Sequence, residues 1–318
     1  MWLEPHSLGA LLQLFAPVLA ALLSVLQPHG APSPTQEAPM SSPRSPQFIT
    51  SSKATMEGAG VHLRRAFGYA ELPRFDPFLM LDDFRSNDPD QYLEGFPWHP
   101  HRGIETITYM LEGSVEHGDS MGNRGVIGPG GVQWMTAGHG IIHQEMPKPG
   151  PDGRMGGFQL WANLPAANKL MPPRYRELTA DDIPKVPIPG GEVRIIAGTL
   201  GGVTGPVTDV VTAPEYLDLR LQPGATLQHP TPPGHTVFAY VFAGELLLGG
   251  RLLSDHSLVL FGDGDHVSLA AGPRGASFLL VSGHPIGEPI AWRGPIVMNT
   301  DDEIRQAFEA YRNGTFLR

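Results

Sequence analysis

The sequence predicts an all-β protein built from two tandem copies of one β-barrel, with a short helix near its C-terminal end. Composition, alternation and internal repetition carry that prediction. Glycine (39) and proline (33) are abundant and charged residues make up only 17% of the 318, which favours turns and short strands over long surface helices. Apolar and polar side chains alternate along Thr106–Leu111, Tyr216–Leu221 and His266–Leu269, and glycine turns such as Glu112-Gly113 and Pro223-Gly224 separate such runs. The pattern also occurs twice. YMLEGSVEHGD from Tyr109 is matched by YVFAGELLLGG from Tyr240, and IGPGGV from Ile127 by FGDGDHV from Phe261, at offsets of about 131 to 135 residues.

Residues 1–47 differ from the rest. The run 8–26 is apolar apart from Gln13 and Ser24, long enough to suggest a signal or membrane anchor. It lacks a positive leading region, however; Glu4 has the wrong sign and Pro17 interrupts the run. A Pro/Ser-rich linker follows to Gln47. Three readings stand: a targeting segment, a disordered extension, or sequence upstream of a start at Met40 or Met56. Localisation divides with them, cytoplasmic for the folded part or exported or membrane-anchored through 8–26. The strands are expected after Phe48, so that removing 1–47 should leave the fold untouched.

The first barrel is assigned to 48–170 and the second, with the helix, to 171–318; proline-rich Pro165–Gly191 forms the bridge. Thr300 and Glu303 form a capping box, and Ile304, Ala307, Phe308 and Tyr311 make one apolar stripe before Asn313-Gly314 ends the helix. This is a structural element.

Composition narrows the chemistry. A formal charge of −10 argues against a broad grip on nucleic-acid phosphates. The absence of cysteine removes disulfides, thiolate metal sites and cysteine nucleophiles, leaving histidine and carboxylate as metal ligands. His99-Pro100-His101 precedes a strand, and residues two apart on extended backbone face the same side. His143-Gln144-Glu145 repeats that spacing and adds an anionic oxygen. Three imidazoles and a carboxylate suit one divalent ion, whether Fe(II), Mn, Ni, Cu or Zn, with open positions for substrate or oxygen.

WHPHRGIETITYMLEGSVEHGDSMGNRG, QWMTAGHGIIHQEMP and FQLWANLPAANKLMPPRY resemble the pirin family of bicupins, as does the ending EPIAWRGPIVMNTDDEIRQAF. The resemblance spans about Phe48 to Phe316. It implies two cupin barrels (double-stranded β-helices), a single iron held in the first by His99, His101, His143 and Glu145, and a second barrel without metal. Cupins in general take a glutamate about four residues after the second histidine, here Glu105. Pirins look as though they use the later one, here Glu145, which shares a strand face with His143. Glu105 is then expected behind the ligands, orienting an imidazole or pairing with Arg102. Shifting His99 and His101 by 131 residues gives Pro230 and Pro232; shifting His143 and Glu145 by 131 or 135 gives Arg274 and Ala276 or Phe278 and Leu280. No ligand survives, and nearby His229 and His235 read as loop residues.

Two functions remain open. The resemblance implies quercetin 2,3-dioxygenase-like chemistry, in which a monomer binds a small aromatic substrate and O2, and Glu145 both ligates the ion and accepts the substrate's proton. The alternative is a metal- and redox-dependent binding or transcriptional co-regulatory protein without physiological turnover, acting through protein partners rather than directly on nucleic acid.

Overall fold

The computed structural model describes residues 42–318; the apolar run 8–26 lies outside them. Among the described residues no helix is long and apolar enough to cross a membrane. In chain order the strands are β1 (Pro46–Ser51), β2 (Lys53–Glu57), β3 (Val61–Phe67), β4 (Phe78–Asp83), β5 (Phe96–His101), β6 (Ile104–Glu112), β7 (Ser114–Asp119), β8 (Arg124–Ile127), β9 (Val132–Thr136), β10 (Ile141–Lys148), β11 (Gly156–Asn163) and β12 (Arg174–Leu178). They continue as β13 (Lys185–Ile188), β14 (Gly191–Ala197), β15 (Thr199–Leu200), β16 (Val203–Thr204), β17 (Glu215–Leu221), β18 (Thr226–Pro230), β19 (Thr236–Leu248), β20 (Arg251–Ser254), β21 (Ser257–Phe261), β22 (His266–Gly283), β23 (Ala291–Arg293) and β24 (Ile296–Met298). Helix α1 (Asp301–Arg312) follows.

The first barrel faces the sheet β12-β9-β6-β11-β4-β3-β2 against β5-β10-β7-β8. The second is built on β1-β21-β19-β22-β17-β14-β13, with β18 added to β22 and β20 to β19. The two copies turn alike: Gly113 and Gly244, at matching places in the repeat, hold φ of 67° and 70°, a left-handed conformation that glycine adopts without strain.

Sheet membership crosses the expected boundaries at both ends. β12, placed by sequence in the second half, pairs with β9 of the first barrel. The corresponding edge of the second barrel is filled by β1, which pairs with β21. The fold therefore starts before Phe48. Buried Arg44 donates to Thr231 Oγ1 (2.7 Å) and to the carbonyls of Gly262 (2.8 Å) and Pro232 (2.7 Å). The Pro/Ser composition hid this strap, because its contacts lie about 190 to 220 residues away, beyond local pattern.

A shared core joins the barrels. Phe67, Phe75, Phe78, Tyr109 and Phe158 of the first pack with Tyr216, Phe238, Tyr240 and Phe242 of the second. Two matched polar bridges cross it. Tyr240 donates to Asp83 Oδ2 at 2.8 Å, and Asp83 is paired to Arg85 two residues on. Tyr109 donates to Asp218 Oδ2 at 2.6 Å, and Asp218 is paired to Arg220 at 3.3 Å. Each barrel's tyrosine thus satisfies a buried carboxylate of the other.

α1 starts at the capping box, with Glu303 N–H donating to Thr300 Oγ1 (3.2 Å) and Thr300 N–H to Glu303 Oε2 (2.9 Å). It buries Ile304 and Ala307 against Ile296, Met298 and Phe316. Tyr311, expected on that stripe, is 40% exposed.

Candidate metal centre

β5 and β10 run antiparallel with His99 directly opposite His143 and His101 opposite Ile141. The register then shifts between His143 and Glu145, a bulge that re-aims side chains beside the site. Nitrogens of His99, His101 and His143 lie within 4.8 Å of one another, and among the described residues they form the group of metal-binding side chains drawn this close. The ring centres of His99 stand 4.8 Å from His101 and 4.3 Å from His143.

Tautomers decide whether an ion fits. His99 Nδ1 lies 2.8 Å from the Pro97 carbonyl and His101 Nδ1 3.0 Å from the Pro295 carbonyl. A carbonyl only accepts, so each Nδ1 carries the proton and each Nε2 presents a lone pair. Those two Nε2 atoms face each other at 3.1 Å. Two lone pairs so placed repel unless a cation lies between their directions, and two nitrogens each about 2.0–2.1 Å from one ion stand about 3 Å apart. His143 is fully buried and neither of its nitrogens has a hydrogen-bond partner, an orphaned arrangement that coordination relieves. Burial, then the neighbouring imidazoles, hold His101 and His143 well below the usual histidine range, and burial lowers His99. All three are neutral, as metal ligands must be. The residues fit a divalent cation.

Glu145 lies on the same inward face of β10 but outside that tight group, with Oε1 accepting from Thr108 Oγ1 at 2.9 Å. Burial pushes its carboxyl up to about 7, against the opposing hydrogen bond. Glu105 is not behind the ligands. It accepts from Thr136 Oγ1 at 2.6 Å and, two residues from Ile107 on β6, shares the face turned to the inter-barrel core. Arg102 does not pair with it either; its guanidinium donates to the carbonyls of His139 and Phe316 and lies over the Phe316 ring. One residue of parity separates Glu105 from the pocket face, and Thr106 and Thr108 take that face instead.

The sequence reading did not include several site residues. Pro295 comes from beyond the second barrel, yet orients His101. Gly103 admits that segment: a Cβ there would stand 2.0 Å from the Val297 carbonyl oxygen. Trp161 lines the cavity edge-on to His101 at 5.0 Å, whereas Trp134 and Phe158 lie in the inter-barrel core. His117 is buried beside His143, with ring centres 5.4 Å apart, and stacks on Tyr175 at 4.7 Å.

His99 and His101 border a cavity of about 660 Å³, with Glu145 also on its wall and His143 buried beside them. Aromatic and aliphatic residues, among them Tyr69, Phe84, Phe96, Trp161 and Trp292, form most of its wall. Besides the histidines, its polar side chains are a row of Asp82, Gln159, Thr108 and Glu145, with Arg65, bonded to both Asp82 and Glu57, at the Asp82 end.

Strand register locates the same places in the second barrel. Leu227 pairs with Leu269 as His99 pairs with His143, and His229 with Val267 as His101 with Ile141. Leu217, Leu280 and Ala239 lie side by side as Asp82, Gln159 and Thr108 do. Ala271, two residues beyond Leu269, stands where Glu145 would. The offsets read from sequence were wrong for this sheet, because the turns between strands differ in length. His229 is also no loop residue: it is buried on β18 with Nε2 2.8 Å from Glu215 Oε2.

The family model "Pirin" matches residues 60–162, and "Pirin C-terminal cupin domain" matches 216–317. The chain belongs to the pirin family. A pirin-family relative from Pseudomonas aeruginosa, a putative quercetin 2,3-dioxygenase, is 47% identical over 270 residues, covering 81% of this chain and 93% of its own. Among solved structures, a quercetin 2,3-dioxygenase from Acinetobacter baumannii superposes with a TM-score of 0.80 at 33% identity, covering 86% of this chain and 98% of its own. A bacterial pirin from Escherichia coli in complex with nickel(II) shares the fold, with a TM-score of 0.59 at 23% identity over 75% of this chain and 98% of its own. Both pirin barrels expected from sequence are therefore present.

Proposed function

We propose that this pirin is a metal-dependent dioxygenase that holds one Fe(II) through His99, His101, His143 and Glu145 and acts on flavonol-like aromatic substrates. The observation that carries the reading is the pair of Nε2 lone pairs facing each other at 3.1 Å on the wall of an aromatic-lined cavity. The similarity to proteins named quercetin 2,3-dioxygenase supports the reaction class. A bound ferrous ion would supply Lewis acidity toward a substrate enolate and one-electron chemistry toward oxygen.

The chain's own residues do the rest. Trp161, Phe96 and Trp292 line the cavity and offer apolar surface to a flat ring, excluding water from it. Glu145, buried on the cavity wall beside the histidines, accepts the proton of the substrate hydroxyl. Thr108 fixes the carboxylate's rotation through its 2.9 Å hydrogen bond.

The test is oxygen uptake by anaerobically Fe(II)-loaded protein with quercetin and a panel of catechols. Uptake matched by flavonol loss is expected. Tight metal binding with no uptake for any flavonol would overturn the enzyme and leave the metal-dependent binding protein. Nickel(II), present in the Escherichia coli pirin, belongs in the same titration.

A further inference from the structure

The polar row across the cavity has an internal control. At the register positions of Asp82, Gln159 and Thr108 the second barrel carries Leu217, Leu280 and Ala239, all buried in its apolar core. The fold therefore needs no polar group there. Burying one without need costs stability, so its presence in the first barrel calls for a ligand.

The hydrogen count in the row shows what it offers. Thr108 Oγ1 lies 2.9 Å from Glu145 Oε1 and 2.7 Å from Gln159 Oε1, but a hydroxyl has one hydrogen to give. When Glu145 serves as an anionic ligand it takes that hydrogen. The Gln159 amide, whose two ends are assigned by their partners, must then turn its NH2 to Thr108. Its carbonyl oxygen is left facing the cavity. Beside it on β4, Asp82 is held by Arg65 through Nε–Oδ1 (2.8 Å) and Nη2–Oδ2 (2.7 Å), leaving one lone pair on each oxygen. Asp82 lies two strand spacings from Thr108, about 9–10 Å, the reach of a ring or two beyond the metal-bound part of a ligand.

Resting on the dioxygenase reading, we infer that Gln159 and Asp82 form an acceptor subsite that selects aromatic substrates carrying a hydroxyl donor on the ring remote from the metal. Thr108 is a positioning residue, linking the orientation of Gln159 to that of Glu145.

Binding tests this without turnover. Zn(II)-loaded protein is titrated with quercetin, whose pendant ring carries hydroxyls, and with the flavonol whose pendant ring has none, following quenching of Trp161 and Trp292. Wild type should favour quercetin by about five- to tenfold per hydrogen bond gained. Gln159→Leu, which installs the second barrel's residue, and Asp82→Leu, which does the same on β4, should each remove one hydrogen bond's share of that preference while the unhydroxylated flavonol binds as before and zinc content stays constant. Equal affinity of wild type for both flavonols, or an unchanged ratio in both variants, would overturn the subsite alone. Failure of wild type to bind either flavonol would overturn the subsite together with the dioxygenase reading.

Discussion

In the first barrel six inward positions carry Asp82, His99, Thr108, His143, Glu145 and Gln159; at the same places the second barrel carries Leu217, Leu227, Ala239, Leu269, Ala271 and Leu280. Five of the first set line a cavity of about 660 Å³, with His143 buried beside it, and the second set packs side chain against side chain in an apolar cluster. The strand plan tolerates either filling. A buried leucine contributes about 1.5–3 kcal/mol, whereas buried imidazoles and carboxylates cost stability unless paired or metal-bound. The second barrel, sharing a core with the first, offsets that cost.

The sharpest break between the barrels should come from their one shared histidine position. His101→Ala should reduce metal content from about one ion per chain to near zero by elemental analysis, because one of three converging nitrogens is lost. His229→Ala should leave metal content unchanged while lowering stability by about 1–3 kcal/mol, since buried Glu215 loses its partner. Metal loss in the His229 variant would place an ion in the second barrel. The two glutamates divide similarly. Glu145→Gln should weaken metal binding, whereas Glu105→Gln, on the opposite face, should leave it within about twofold; a larger Glu105 effect would restore the general cupin arrangement.

Deleting 1–47 is the next largest perturbation, and it acts on the second barrel. It removes Arg44 with its three hydrogen bonds and the start of β1, uncovering the Phe261 end of the β21 edge. Loss of several kcal/mol and aggregation on heating are expected, where the linker reading anticipated no change. A chain beginning at Met56 would lose all of β1. A thermal midpoint unchanged by the 1–47 deletion would show that Arg44 and the start of β1 contribute little.

The barrels, their turns, the capped helix and the three histidines were legible in the sequence because each is a short-range pattern: alternation, glycine at a left-handed turn, an i, i+2 pair. The general cupin spacing misplaced Glu105, since the chain turns at Gly103 between β5 and β6 and leaves it on the face of β6 away from the pocket. Pro295, Arg44 and His117 were hidden because their roles come from tertiary contacts. Asp82, Thr108 and Gln159 left a signal that was not used. Polar residues occupy inward positions whose counterparts in the repeat are Leu or Ala, and once the register is known the two copies point to them.

Filling the first barrel in the manner of the second should have a moderate effect of opposite sign. Thr108→Ala, Glu145→Ala and Gln159→Leu together remove a buried carboxylate and its hydrogen-bond chain in one step. The metal-free protein should gain about 1–3 kcal/mol in denaturant unfolding, as when buried polar groups are replaced by apolar ones. A loss of stability instead would mean the row is structural, against the internal control.

The finest difference to resolve, about 1–2 kcal/mol between two matched variants, lies in the paired bridges, where the barrels are most alike. Asp83 is bonded by Arg85, Tyr240 and His256, whereas Asp218 has Tyr109 and a 3.3 Å contact from Arg220, with Oδ1 left unpartnered. Tyr109→Phe should therefore cost more, about 2–3 kcal/mol, than Tyr240→Phe, about 1 kcal/mol, because less remains to satisfy the stranded carboxylate. Acid should distinguish the bridges further. Burial alone would raise the Asp83 carboxyl, but Arg85, His256 and Tyr240 outweigh it and hold it at about 2, below the ordinary 3.8. A depressed folded value means the unfolded chain binds its proton first, so stability from Asp83 is complete above about pH 4 and is lost as pH falls through about 2. Asp83→Asn should flatten that limb of the stability curve. If the variant keeps the wild-type slope between pH 4 and 2, the charge on Asp83 is not what holds the barrels together there, and the bridge acts through its neutral hydrogen bonds alone.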